Sequence, residues 1–191
     1  MTENNSKILA NVGKKYNFLF DTSTILYFEQ MWKQCGASIF IVINEIPDVN
    51  FFVCNEVLSE LISGDHGFNP AQLNIFFDHI LNAESSMNRE YKENRFLINE
   101  GGEVKYIVLN KISTTDYAQI LLCQNHPELV LVANDRKLIK SGVQVVSGGR
   151  VIGIPALLDR LLSIYPDNER LKVLKRTGNE IFVKKHAFGK I

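Results

Sequence analysis

Four acidic residues in this chain stand where an apolar strand pattern hands over to a helical one: Asp21, Glu60, Asp116 and Asp135. Asp21 ends the run Asn17-Phe18-Leu19-Phe20, and Asp135 follows the run 129–132. Glu60 lies early in the helix after a second strand, and Asp116 in the first turn of a later one. In open parallel α/β sheets, strand ends and helix starts share one edge, and sites form there. Four carboxylates gathered on one edge repel each other unless a cation sits among them. Oxygen ligands with no Cys or His cluster beside them select magnesium or manganese over zinc. Such ions generate hydroxide from water and neutralise a transferring phosphate, which suits phosphodiester hydrolysis.

Each acid also has a plainer reading. Asp21 suits the cap of the next helix, where free N–H groups and the dipole favour a negative charge. Asp116 alone reads as a helix N-terminal charge, and Asp135 alone as a turn residue. Glu56 competes with Glu60, because residues four apart share a helix face.

The elements that must position these acids alternate between strand and helix. Residues 16–20 form a strand apolar enough to be buried on both faces. Ile25, Leu26, Phe28, Met31 and Trp32 follow at helical spacing, and Gly36 is a C-cap. Residues 38–45 are β-branched enough for a strand, with a short helix as the alternative. Residues 51–54 are a strand, and Asn55 caps a helix carrying Val57, Leu58, Leu61 and Ile62. Asn69-Pro70 starts a helix containing Phe76 and Phe77, read as core residues. Residues 85–99 are polar, a helix extension or a mobile linker, and Gly101-Gly102 breaks the chain before a strand at 104–109. Ser113 opens a helix, 129–132 is a strand, 143–146 a further strand, and Pro155 starts a last apolar helix. This alternation predicts an α/β fold, a parallel sheet covered by helices on both faces.

Composition narrows the class. Lys plus Arg and Asp plus Glu are both 21, so overall charge points to no polyanionic partner. Cys35, Cys54 and Cys123 are widely spaced, which excludes a disulfide framework and a cysteine zinc site. The polar start lacks an apolar signal core, and no apolar run approaches a membrane span. The expected location is cytoplasmic. No Ser-His-Asp set, Walker loop or GxGxxG is present, which leaves serine-nucleophile, NTPase and dinucleotide chemistry without residues. His66, His79, His126 and His186 are scattered and read as surface or core residues.

Four short motifs come in a fixed order: Phe18-Leu19-Phe20-Asp21-Thr22-Ser23, Val57-Leu58-Ser59-Glu60-Leu61, Ser113-Thr114-Thr115-Asp116 and Ala133-Asn134-Asp135-Arg136-Lys137-Leu138. Together they resemble the PIN-domain nuclease family over residues 16–164. The resemblance implies a three-layer α/β/α sandwich with a central parallel sheet and a magnesium- or manganese-dependent ribonuclease site. It makes Asp21, Glu60, Asp116 and Asp135 the acidic quartet, catalytic and metal-holding, and favours Glu60 over Glu56. Thr22, Ser113 and Asn134 match auxiliary positions beside the acids. Ser23 stands where Asn is commoner, Ala133 where Thr or Ser is usual, and the gap from Glu60 to Asp116 is long. These departures leave an inactive PIN-fold module that binds RNA or protein as the alternative.

The expected organisation is a polar arm (1–15), a PIN-like domain (16–164) with an insertion at about 64–111, and a basic tail (165–191). From residue 167 onward there are seven bases and three acids, a net of +4. Such a run is either solvated or holds a phosphate backbone. Lys14, Lys15, Lys184 and Lys185 are the densest pairs of bases and the expected RNA contacts. RNA is the expected partner; the resemblance also admits an antitoxin chain and a homodimer.

Overall fold

The structure is a computed structural model that describes residues 5, 7, 9, 16–64, 80–83, 94–110 and 112–188, with the backbone alone at 44 and 181–188. In chain order the elements begin β1 (Tyr16–Phe20), α1 (Thr22–Cys35), α2 (Ile39–Glu45), β2 (Val49–Cys54), α3 (Asn55–Ser63) and β3 (Ile80–Leu81). They continue β4 (Arg95–Glu100), β5 (Glu103–Val108), α4 (Thr114–Asn125), β6 (Leu129–Ala133) and α5 (Arg136–Gly142). The chain closes with β7 (Val151–Gly153), α6 (Ile154–Ile164) and α7 (Glu169–Phe188).

Five of the strands form one parallel sheet in the order β3-β2-β1-β6-β7, with helices on both sides. The expected α/β architecture is present. β1 sits at the centre because both its faces are apolar: Phe18, Leu19 and Phe20 are fully buried. It pairs Phe18 with Phe51 of β2 on one side and with Val130 of β6 on the other. Phe20 packs edge-on against Phe51, ring centroids 5.0 Å apart.

The strand order reverses at β1 and β6. The chain leaves β1 toward β2 on one side, and leaves β6 toward β7 on the other. The connections therefore part between these two strands, the place where open α/β sheets form a crevice beyond the carboxyl ends.

The structure corrects several local expectations. Of the two readings open for 38–45, the short helix is the one present, Ile39–Glu45: the Ser38 hydroxyl caps the turn by accepting from the Phe40 N–H at 3.2 Å. That cap outweighs the β-branched content. Residues 143–146 are not a strand. The N–H groups of Val143, Val145 and Val146 donate to the carbonyls of Ile139 and Gly142, so they are spent in local turns. The strand comes later, at Val151–Gly153. Cys54, not Asn55, stands at the cap position of α3, and no side chain caps it. Within 85–99, the described part is neither helix nor linker: β4 pairs antiparallel with β5. Gly101 and Gly102, both at positive φ, make the two-residue turn between them.

The segment after Pro166 is helical. Leu171 and Leu174 of α7 are fully buried, and Arg170 and Lys175 form ion pairs with Glu45 and Asp159. The N-terminal arm touches the body through Asn5, whose side chain exchanges two hydrogen bonds with the backbone of Asn82. Lys14, Lys15, His66, His79 and the helix expected after Pro70, with Phe76 and Phe77, lie outside the described residues. Among the described residues no helix is long and apolar enough to cross a membrane.

Candidate active site

Asp21 is the first residue past β1. Its N–H still donates to the Val132 carbonyl at 3.0 Å, so the ladder holds it against the end of β6. The side chain is buried. Oδ2 accepts from the Ser23 N–H at 3.0 Å, the cap of α1, and from the Ser23 hydroxyl. Oδ1 accepts from the Gln119 side-chain amide at 3.0 Å. Burying carboxylate oxygens without such donors would be costly.

Asp135 follows β6 and caps α5, its Oδ1 accepting from the Lys137 N–H at 2.6 Å. Asn134 donates its N–H to the Ser23 hydroxyl at 3.1 Å. A chain of hydrogen bonds thus runs from the end of β6 through Ser23 to Asp21. Ser23, at a position where asparagine is commoner in the resembled family, ties the two central strand ends together.

Asp116 forms a capping box with Ser113 at the start of α4. The Ser113 hydroxyl accepts from the Asp116 N–H at 3.0 Å, and the Ser113 N–H donates to Asp116 Oδ2 at 3.1 Å. Burial pushes the Asp116 carboxyl above the usual carboxylate range. The charges of Asp21 and Asp135 push it the same way, while the bonds from Ser113 pull it down. Asp116 is therefore within electrostatic reach of both other aspartates, although they are far away in the chain.

Glu60 is not early in its helix, as expected, but in the last turn of α3, and its side chain reaches this edge from there. It accepts from the Thr22 hydroxyl at 2.6 Å through one oxygen and from the Thr115 hydroxyl at 2.5 Å through the other. It bridges the first turns of α1 and α4. Glu56 is placed differently: its oxygens are buried, and it stands against Cys54, whose thiol is raised first by burial and then by the Glu56 charge.

Gln119 and Thr115 escaped the sequence reading. Gln119 is fully buried in a run otherwise apolar, three residues after Asp116. A polar side chain on the same helix face as an acid was the available signal. Its Oε1 has no hydrogen-bond partner.

The donor set is one of hard oxygens, chemistry that fits magnesium or manganese. Among the described residues no three acidic, His or Cys side chains stand within reach of a single ion. All three cysteines are free; burial pushes the Cys123 thiol up to about 12 and raises that of Cys54 well above the ordinary range. Lys184 and Lys185 lie on α7, in the part described by its backbone alone.

Comparison with solved structures adds one finding. The chain is similar to a PIN domain endonuclease. The solved structure, titled "Structure of the PIN domain endonuclease Utp24", matches at a TM-score of 0.42 and 14% identity, covering 75% of this chain and 88% of that one. No protein-family model and no curated protein matches the chain.

Proposed function

We propose that this protein is a metal-dependent endoribonuclease, with Asp21, Asp116 and Asp135 holding the ion and Glu60 completing the quartet. One observation carries the reading. Asp21 and Asp135 follow the two central strands at the point where the sheet order reverses, and Asp116 opens the helix that leads into the second of them. Such a crevice is where open α/β sheets place their ligands. Magnesium or manganese bound there would activate water and neutralise charge on the phosphate. The chain's own groups prepare the place. Gln119 and Ser23 fix the Asp21 carboxylate, and Thr22 and Thr115 hold Glu60 between two helices. Ser113 orients Asp116, and Asn134 anchors Ser23.

A second reading has its own support. Each aspartate also serves a helix start: Asp21 caps α1, Asp116 belongs to the capping box of α4, and Asp135 caps α5. On that reading the acids are structural and the protein is a binding module. A melting curve with and without millimolar manganese separates the two. A cation bound only by the folded state raises the melting temperature, and Asp21→Asn should abolish most of the rise. Cleavage of mixed RNA should appear with manganese, vanish with chelator, and be lost in Asp116→Asn while the variant stays folded. No melting shift and no cleavage would leave the capping role as the whole account.

A further inference from the structure

The hairpin of β4 and β5 is a two-stranded sheet of its own, apart from the five central strands. We propose that β5 pairs antiparallel with β5 of a second copy of this chain, giving a four-stranded sheet about a two-fold axis at Tyr106. Such pairing is independent of what the acidic edge does. The two edges of the hairpin are unlike. On β4 the outward carbonyls are spent: the Tyr117 hydroxyl donates to that of Arg95 at 2.8 Å, and the Gln124 amide to that of Leu97. Both donors lie on α4, which covers that edge. Arg95 stands opposite Val108, Leu97 opposite Tyr106 and Asn99 opposite Val104. Antiparallel partners alternate between pairs that bond each other and pairs whose polar groups point apart. Arg95 and Leu97 point away from β5, so Val108, Tyr106 and, by the same alternation, Val104 point away from β4. Among the described residues, no hydrogen bond from another element reaches the N–H and C=O groups of these three.

Sheets that must stay single blunt such an edge with proline, a bulge or charge. β5 has no proline, and its register with β4 runs unbroken from Glu103 to Val108. The charge of Lys105 is met within the hairpin by Glu100 and Glu103, each at 3.5 Å. Val104, Tyr106 and Val108 are each more than half exposed. A second β5 complements this edge. Bonds between two open edges join residues whose groups point outward, so these three must meet one another. With Tyr106 opposite its own copy, Val104 meets Val108 of the second chain, and every outward residue is bonded. Side chains alternate along a strand, so apolar groups then face apolar groups across the axis. Charge selects this register over its neighbour. An axis one residue back would set Lys105 against its own copy, like charge against like. With the axis at Tyr106, Lys105 stands opposite Ile107.

The hairpin is already shaped for this contact. Phe96 stacks on Tyr117 and fixes β4 to α4, and the Arg95 guanidinium lies 4.8 Å over the Tyr106 ring, at the axis. No segment has to order itself for the strands to meet, which keeps the entropy cost of association low. A single strand pair covers less than the roughly 1,200 Å² of a stable interface. The dimer is therefore weak, with a dissociation constant on the order of 100 µM.

Sedimentation equilibrium of the full chain from about 5 to 500 µM, a range around that constant, should show the average mass rising toward that of a dimer. Tyr106→Glu leaves Arg95 a partner but sets two carboxylates against each other across the axis, and should weaken association at least about tenfold. Val104→Pro removes an outward N–H that β4 does not use, and should do the same. Cysteines read the register. Under mild oxidation Tyr106→Cys should form an intermolecular disulfide, because opposed bonded residues stand about 5.5 Å apart at Cα. Val104→Cys should not, since its own copy lies about 14 Å along the strand; mixed with Val108→Cys it should give the mixed disulfide. If Val104→Pro fails to fold, Tyr106→Glu and the cysteines decide. A monomer at every concentration overturns the proposal and leaves the edge to a strand of another protein or to none. A dimer that the folded variants leave intact, or Val104→Cys linking to itself as fast as Tyr106→Cys, overturns it as well.

Discussion

At the residue scale, the candidate site depends on groups that touch the acids rather than on the acids alone. Gln119 is the clearest. It donates to Asp21 from a fully buried position, so its effect is to orient that carboxylate. Partners of this kind typically change metal affinity by about 10–100-fold when removed. Gln119→Leu should therefore raise the manganese concentration needed for the melting shift about tenfold, and should lower the metal-free melting temperature as well, because the buried Asp21 carboxylate loses a donor. Gln119→Glu would place a further negative charge against Asp21 and should weaken the fold at neutral pH in the absence of metal. His126 makes a different prediction. It is buried at the end of α4, and burial holds its pKa below the ordinary 6.5, against the upward pull of Glu128 3.7 Å away. A histidine lowered on folding binds its proton more readily when unfolded. Stability is then whole above about pH 6.5 and falls as pH drops through that value toward the folded pKa. Urea unfolding of the wild type and His126→Gln across pH 5 to 7.5, roughly spanning the ordinary histidine pKa, should show this slope only in the wild type.

At the scale of elements, helix ends do most of the positioning. α1, α4 and α5 all start at a capped turn, and those turns carry Asp21, Asp116 and Asp135. The other end of α4 is held by Arg150, whose guanidinium donates to the carbonyls of Cys123, His126 and Leu129 at 2.6, 3.4 and 3.2 Å. One side chain from the turn before β7 thus locks α4 to the start of β6. Bonds from a charged donor contribute about 1.5–3 kcal/mol each at most, and half-buried ones less. Arg150→Ala should cost about 2 kcal/mol in urea unfolding, without a change in metal-induced melting shift. A loss of manganese response in that variant would show that the acids depend on the far end of α4 as well. The β4–β5 pair has a separate role in support: Phe96 stacks on Tyr117 of α4 at 4.4 Å, and the Tyr117 hydroxyl donates to the Arg95 carbonyl at 2.8 Å.

For the whole molecule, α7 matters because it closes the core. Leu171 and Leu174 are fully buried, and the helix packs on α1, α2 and α6. Cutting the chain after Ile164 would uncover apolar surface on all three. Two lost leucines alone remove about 3–6 kcal/mol of burial, comparable to a domain's net stability. The shortened chain should melt far below the full one, or fail to fold, whatever its affinity for RNA. Lys184 and Lys185 must accordingly be tested by substitution in the full helix: Lys184→Gln with Lys185→Gln should flatten the salt dependence of RNA binding if they meet phosphates. An unchanged salt slope would remove them from the RNA path.

What the sequence alone determined here is local. Strands at residues 16–20 and 129–132 follow from apolar runs, and the helix starts at Ser113 and Asp21 from cap chemistry acting over two or three residues. The three aspartates were legible because each sits at such a junction; Glu60, in the last turn of its helix, was legible only through the order of motifs that carried the family resemblance. Only the tertiary structure decided which junctions meet. β1 and β6 are neighbours although more than a hundred residues separate them, and no periodicity records a strand's neighbour. The same holds for the bond from Gln119 to Asp21, across 98 residues, and for Thr115 on Glu60, across 55. Caps and periodicity act within a turn or two of backbone. A crevice at a reversal of strand order, and the side chains that face it, exist only once the crossovers have chosen their sides.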